Sequence, residues 1–180
     1  MARTAREQVL SGIIDSLSGG RSVILRGPMG VGKTHLLGEV VASLRQDGWA
    51  HTRINANVAT STVPFGALAE FVPDGEVSNR PALLRSITDA LQSLGSGRHH
   101  LIEIDDAPFL DDQSVAVLHQ LLADSTVQLL ATARLSDRER AALVGLWHDI
   151  DVEQIEVQPL DERAATFLVE SQWGHESEPS

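Results

Sequence analysis

The residues best suited to chemistry in this sequence lie in the stretch RGPMGVGKTHLL, which begins at Arg26. Within it, Gly27, Gly32, Lys33 and Thr34 fit the spacing GxxxxGK[ST], which is typical of loops that bind a nucleoside triphosphate. Glycines let the backbone turn through positive φ and bring N–H groups close to phosphate oxygens. Lysine can reach the β- and γ-phosphates, and the threonine hydroxyl can complete the coordination of Mg²⁺. The pattern therefore predicts a site for ATP and Mg²⁺.

A plain strand-to-helix connection is the alternative interpretation of this loop. Such a connection would need glycine, but it gives no reason for lysine and threonine beside it. The following helix also points its positive end at the loop, which favours an anion there. We therefore predict that Lys33 acts catalytically, that Thr34 is a metal ligand, and that the nucleotide is bound by Gly27, Pro28, Met29, Gly30, Val31, Gly32, Lys33, Thr34 and His35.

The second group of candidate residues is the acidic pair that ends the apolar run LIEIDD. Asp105 is predicted to hold Mg²⁺, through water, because Mg²⁺ prefers oxygen ligands and keeps several of its waters. Asp106 is predicted to orient or deprotonate the attacking water. The alternatives are a solvent-facing carboxylate for Asp105 and a turn or capping residue for Asp106. Aspartate is shorter than the glutamate common in fast ATPases, so slow turnover is expected.

Polar residues near the two motifs have less specific interpretations. The run LLATAR contains Thr132 and ends at Arg134, and a polar or cationic side chain there could sense the γ-phosphate. A surface arginine is the equal alternative for Arg134. Asp111 and Asp112 are interpreted as N-caps of the helix QSVAVLHQLL rather than as metal ligands.

Apolar periodicity places these motifs on a regular framework. Helices with an amphipathic pattern are predicted for REQVLSGIIDSL, THLLGEVVASLRQDG, PFGALAEFV, RPALLRSITDALQSLG, DDQSVAVLHQLLAD and DRERAALVGLWHD. Strands are predicted for SVILRG, HTRINAN, HHLIEIDDA, TVQLLATAR and EQIEVQPL. Alternating strands and helices predict an α/β fold with a parallel sheet covered on both faces. Ligands of such sheets bind at the carboxyl ends of the strands, where both motifs fall.

Composition narrows the function classes. The formal net charge of −11 opposes direct DNA binding by this segment, since nucleic-acid binding depends on Lys and Arg neutralising phosphates. The chain has no cysteine, which excludes thiolate catalysis and cysteine zinc sites, and the adjacent His99 and His100 point to opposite faces of a strand. No apolar run approaches the roughly 20 residues of a membrane span, so a cytoplasmic protein is expected.

In these motifs the chain resembles the NTPase module of the STAND class, relatives of AAA+ ATPases, and in particular the large MalT-related, ATP-binding regulators of the LuxR family. Two segments carry the most specific likeness, PFGALAEF and DDAPFLDD in this order, although APFL replaces a more usual aromatic-rich stretch. Further similar segments are ARE from Ala5 to Glu7, VILRGPMGVGKTHLL, LLATAR and IEVQPLDERAATFLV.

The resemblance implies a P-loop NTPase of three layers whose five-stranded sheet has the order 5-1-4-3-2. Residues 1–160 would form the NTPase core, and 161–180 would begin a lid helix and a polar tail. The module would bind ATP or ADP and control downstream sensor and helix-turn-helix domains that lie beyond this segment, and it allows nucleotide-dependent self-association. A small-molecule kinase of the shikimate-kinase type and a DNA-handling AAA+ ATPase are the alternative functions.

Overall fold

Strands and helices alternate through the part of the chain that the computed structural model describes, which is residues 5–73, 79–134 and 141–158. The expected α/β class is confirmed. The expected lid helix and polar tail at 161–180 lie outside the described residues. In chain order the elements are α1 (Ala5–Ser18), β1 (Ser22–Arg26), α2 (Lys33–Gln46), β2 (Ala50–Asn55), α3 (Arg80–Gly95), β3 (His100–Asp105), α4 (Asp112–Leu121), β4 (Val127–Ala133), α5 (Ala141–Asp149) and β5 (Val152–Glu156).

All five strands belong to one sheet with the order β2-β3-β4-β1-β5, and every neighbouring pair is parallel. Counted from the other edge this is 5-1-4-3-2, so the predicted strand order is confirmed. Asn55 lies opposite Asp105, and Leu25 lies opposite Thr132. The carboxyl ends of β1, β3 and β4 are therefore at the same edge of the sheet.

Two layers of helices cover the sheet, and each has its own apolar core. Helices α1 and α2 pack on the face that presents Val23, Leu25 and Leu130. Helices α3, α4 and α5 pack on the opposite face, which presents Ile24 and Ile102. Because the central strands are covered on both sides, all residues of β4 are buried and show no alternation of polar and apolar positions.

The ends of the helices are set by a few local residues. Gly48 follows α2 with φ of 86° and donates its N–H to the Arg45 carbonyl. Asn79 caps α3 by accepting from Ala82 N–H at 2.9 Å. Asp111 caps α4 and accepts from the N–H groups of the second and third residues of that helix, whereas Asp112 is its first helical residue and not the cap. The two carboxylates therefore lie at the start of this helix as expected, but Asp111 alone is its N-cap.

The segment PFGALAEFV differs from the amphipathic α-helix that its periodicity predicts. It forms a 3₁₀ segment, Gly66–Phe71, with non-helical backbone at Leu68. Phe65 before it has φ of 57°, and a Cβ on Gly66 would lie 2.3 Å from the carbonyl oxygen of Thr60. Such close backbone packing bends the chain into a compact turn too tight for a regular helix. Within the described residues, no helix combines the length and the apolar character that a membrane crossing requires.

Candidate functional site

The loop between β1 and α2 has the backbone that the glycine pattern requires. Gly30 and Gly32 have φ of 78° and 96°, and an ideal Cβ at either position would have no neighbour within 4 Å. Glycine is favoured there by the backbone angle and not by crowding, because L-residues with side chains rarely adopt positive φ. α2 starts directly after Gly32, so its N-terminal N–H groups face the loop.

Gly27, the first glycine of the pattern, has a different structural reason. A Cβ on Gly27 would lie 2.8 Å from the carbonyl oxygen of Val157, which follows β5. The N–H of Val157 donates to the carbonyl of Arg26 at 2.7 Å. The chain leaving the sheet after β5 thus crosses directly over the start of the loop. Sequence analysis missed this contact because the two residues lie far apart along the chain.

Lys33 turns back over the loop instead of extending into solvent. Its Nζ donates to the carbonyl oxygens of Gly27 and Pro28, each at 3.0 Å, and the residue is only 8% exposed. No carboxylate among the described residues forms an ion pair with it. Among the described residues, the charge of this ammonium is met by carbonyl dipoles and by no carboxylate, which suits the binding of an anion.

Thr34 and Asp105 are brought together from two separate elements. Thr34 Oγ1, in the first turn of α2, lies 3.1 Å from Asp105 Oδ2 at the end of β3 and donates a hydrogen bond to it. A hydroxyl and a carboxylate in contact beside this glycine-rich loop are hard oxygen donors of the kind that Mg²⁺ prefers. The residues present therefore fit Mg²⁺, with Thr34 and Asp105 as the groups that would hold it.

Thr132 adds a contact that sequence reasoning did not foresee. Its hydroxyl lies 2.5 Å from Asp105 Oδ1, and the N–H of Asp106 donates to the same hydroxyl at 2.8 Å. The residue is fully buried in β4. The threonine at the end of the fourth strand thus joins both members of the acidic pair.

Asp106 follows β3 in a left-handed conformation, with φ of 57° and ψ of 52°. Its Oδ2 lies 3.6 Å from Arg134 Nη2, and about a third of each side chain is exposed. The structure thus brings Arg134 to the carboxylate that sequence analysis assigned to the attacking water. Partial exposure leaves both groups accessible to a ligand at this edge of the sheet.

The remaining predicted contacts lie on either side of the loop. Met29 is 79% exposed at the loop tip. His35 lies 3.4 Å from Glu39, which also accepts from Arg6 of α1 at 2.8 Å. This ion pair ties the opening helix to α2 beside the loop, and it was not predicted.

The two adjacent histidines have different structural partners. His99 stacks on Trp49 with ring centroids 4.8 Å apart. His100 is buried in β3, and its Nε2 lies 2.8 Å from Thr52 Oγ1. Burial lowers the pKa of His100 below its ordinary value of 6.5, with smaller contributions from the charges of His51 and Arg98.

Solved structures with the same fold come from several organisms, and three of them illustrate the likeness. Each of the three is 16% identical to this chain and matches 99% of it. The Aeropyrum pernix ORC1 protein in complex with DNA has a TM-score of 0.63 over 52% of its own length. AMPPCP-bound DnaA from Aquifex aeolicus has a TM-score of 0.59 over 55% of its own length. C. elegans PCH-2 has a TM-score of 0.57 over 52% of its own length.

This chain therefore spans about half the length of these proteins, and at such identity the likeness concerns the fold alone. A comparison with curated proteins gives no match. The family model described as AAA domain matches residues 15–138, which include the loop, the acidic pair and the strand that carries Thr132. This match covers well over half of the sequence, and the chain belongs to the AAA domain family.

Proposed function

We propose that this chain is the ATP-binding switch module of a LuxR-type transcriptional regulator and that it hydrolyses MgATP slowly. Membership of the AAA domain family supports an AAA-type ATPase module that binds nucleotide, typically with Mg²⁺. The observation that carries the proposal furthest is the contact of 3.1 Å between Thr34 Oγ1 and Asp105 Oδ2. It joins the two motifs, from α2 and β3, into one oxygen-lined site beside an ammonium.

In this proposal each side chain has a stated task. The N–H groups of the loop and the Lys33 ammonium bind the phosphate chain. The N-terminal end of α2, which carries a partial positive charge, stabilises the negative charge of the phosphates. Thr34 and Asp105 would hold Mg²⁺, which would neutralise part of the negative charge of the phosphates. Asp106 orients the attacking water and accepts its proton, and Arg134 meets the charge of the γ-phosphate.

The regulator context rests on sequence segments that resemble the LuxR-type module. The most specific segments are PFGALAEF and DDAPFLDD, and the structure ties them together through one hydrogen bond. Asp111 in the second segment accepts from the N–H of Phe65 in the first at 2.9 Å. We propose residues 1–160 as the NTPase core and 161–180 as the start of a lid. Nucleotide state would then act on sensor and helix-turn-helix domains beyond this segment, in the cytoplasm, with self-association depending on nucleotide.

A DNA-handling ATPase is the second candidate function. It is supported by two solved structures of the same fold, a DNA replication initiation factor and the ORC1 protein in complex with DNA. The net charge of −11 weighs against it, because a DNA-binding surface needs clustered Lys and Arg. A small-molecule kinase, the third alternative, gains no support from the family match.

The test is a calorimetric titration of MgATP into the wild-type protein and into Lys33→Ala. Lys33 is the only lysine in the sequence, so its ammonium has no nearby substitute. Loss of charged hydrogen bonds worth ~1.5–3 kcal/mol predicts affinity weaker by roughly tenfold to a hundredfold. Arg98→Ala, an exposed cation at the amino end of β3, is the matched control and should bind like the wild type.

Equal affinities of Lys33→Ala and wild type for MgATP would count against the proposed site. Two added measurements separate the candidate functions. Turnover that rises with added double-stranded DNA would favour the DNA-handling ATPase. Transfer of the γ-phosphate to a hydroxyl acceptor instead of water would favour the kinase.

A further inference from the structure

We infer that a groove between α3 and α4 is a docking site for an acidic peptide segment of a partner protein. The groove has a volume of about 420 Å³ and is lined by Arg80, Pro81, Leu84 and Arg85 of α3 and by Gln120 of α4. Both helices cover the face of the sheet opposite to α2. The inference therefore does not depend on the proposed nucleotide site.

The helical repeat sets the arrangement of the four α3 residues that line the groove. At about 100° per residue, Leu84 and Pro81 lie between Arg80 and Arg85 around the helix axis. The two arginines are about 140° apart, and both apolar side chains fall inside that arc. The helix therefore presents an apolar strip with a cation on either side.

The two guanidinium groups have no partner of opposite charge within the described part of the chain. Arg80, Pro81 and Arg85 are exposed, and neither arginine side chain forms an ion pair or a hydrogen bond with a described residue. Asp89 follows Arg85 by four residues, a spacing that can pair opposite charges on a helix, yet the two form no ion pair. Both arginines are thus accessible to an incoming anion.

Helix stability does not account for a cation at the start of α3. Arg80 is the first residue of the helix, where the partial positive charge of the N-terminus disfavours a cation, and the first turn contains no acid that would offset it. This end of α3 is stabilised instead by the Asn79 cap, and the helix is held to the core by Ile87 and Leu91. A ligand explains the charge of Arg80 better than the helix does.

The chemistry of the groove fits a segment with acids on both sides of an aliphatic side chain. A guanidinium can donate two parallel hydrogen bonds to a carboxylate, so each arginine fits one Asp or Glu. The strip of Pro81 and Leu84 favours an aliphatic side chain between the two acids. The Gln120 amide can donate to a peptide carbonyl or accept from a peptide N–H.

Charge complementarity points to the same ligand. With 14 basic and 25 acidic residues, the chain as a whole repels an acidic partner. Two neighbouring cations without acidic partners make this groove a local exception, and an acidic segment is attracted to it. The overall charge therefore restricts where such a segment can bind.

A nucleic-acid strand fits the groove less well than a peptide. Affinity for nucleic acid depends on the number of phosphates that are neutralised, and two arginines neutralise few. None of the five lining residues is aromatic, so unpaired bases have no ring on which to stack. The apolar strip also has no use in contacts with a phosphate backbone.

The experiment measures the fluorescence anisotropy of a fluorescein-labelled peptide, Glu-Glu-Ile-Leu-Glu-Glu, as the full chain is added. We expect saturable binding by the wild-type protein. Replacing the two central residues of the peptide by Ala removes the aliphatic contact, and replacing every Glu by Gln removes the charges. Either change should weaken binding by about fivefold or more.

Charge reversal in the groove tests the two arginines. Arg80→Glu combined with Arg85→Glu should weaken binding about tenfold or more, because two attractive contacts become repulsive. Arg45→Glu combined with Arg98→Glu is the matched control, since both residues are exposed, lie outside the groove and change the net charge equally. It should bind the peptide within about twofold of wild type.

Thermal unfolding followed by circular dichroism shows whether each variant is folded. If the reversed variant does not fold, Arg80→Gln combined with Arg85→Gln replaces it, with an expected loss of about threefold or more. Absence of saturable binding by the wild-type protein, or equal binding by wild type and groove variants, would overturn the inference. Tighter binding of a labelled oligothymidylate of the same length, lost on charge reversal, would assign the groove to nucleic acid instead.

Discussion

Asp106 combines a partly exposed carboxylate with a backbone conformation that few residues other than glycine adopt. Its φ of 57° and ψ of 52° lie in the left-handed region, which asparagine and aspartate tolerate better than other side chains do. Asparagine is therefore a clean replacement, because it keeps the size and backbone preference and removes only the charge. The position can be tested without disturbing the turn in which it lies.

Asp106→Asn should lower ATP turnover by about a hundredfold or more, because a general base typically contributes ~10²–10⁴-fold. The affinity for MgATP should change by less than about threefold, since the loop and Asp105 are intact. Steady-state turnover and calorimetry measure the two quantities. Asp89→Asn, on the exposed side of α3, is the control and should behave as wild type. Unchanged turnover in Asp106→Asn would show that another group activates the water.

At the scale of elements, Asp111 joins α4 to the segment after β2. Its carboxylate accepts from the N–H groups of Phe65, Gln113 and Ser114 at 2.9–3.1 Å and from the Ser114 hydroxyl at 2.5 Å. The residue is buried, at 4% exposure. Both segments that carry the specific sequence likeness therefore depend on one side chain, which acts as a helix cap and as a tie between elements.

Asp111→Ala should lower the free energy of unfolding by about 2–4 kcal/mol, the sum of a lost cap and an unpaired buried N–H at Phe65. Asp112→Ala, one residue later and exposed, is the matched control. Its favourable charge in the first turn of the helix is worth about 0.3–1 kcal/mol. Urea unfolding curves give both values. Equal losses in the two variants would contradict the assignment of Asp111 as the shared acceptor.

At this scale the sequence predicts the features that depend on residues close together along the chain. Strands and helices were predicted from apolar periodicity, and the sheet that they form has the expected order. The 3₁₀ segment Gly66–Phe71 was not predicted, because its shape depends on contacts with Thr60 and Asp111 rather than on its own apolar pattern. The contact of Thr132 with both aspartates joins β4 to the end of β3, and no local pattern reports a hydrogen bond across strands.

At the scale of the whole molecule, stability is expected to depend on pH through His100. This residue is 1% exposed, and its Nδ1 has no hydrogen-bond partner among the described residues. Its ring packs on Gly95, where a Cβ would come within 3.3 Å of it. Burial above all, and then the charges of His51 and Arg98, lower the pKa of His100 from 6.5.

The sign of the effect follows from proton linkage. His100 binds a proton more weakly in the folded state than in the unfolded state, so protons favour unfolding. Its contribution to stability is complete above pH 6.5 and is lost as the pH falls below 6.5 toward the lowered pKa. The net charge of −11 acts in the opposite direction, since added protons reduce self-repulsion in an acidic protein. A loss of stability on mild acidification is therefore not a general effect of charge.

We expect the urea concentration at the unfolding midpoint of the wild-type protein to decrease as the pH is lowered from 7.5 to about 5.5. This pH range lies above the ordinary carboxylate pKa values. His100→Gln, which stays neutral and can still hydrogen-bond to Thr52, should be less stable at pH 7.5 but show a flatter pH dependence. The difference between the two slopes isolates the histidine, because all other titrating groups are shared. Parallel slopes would show that His100 is not the group whose protonation opposes folding.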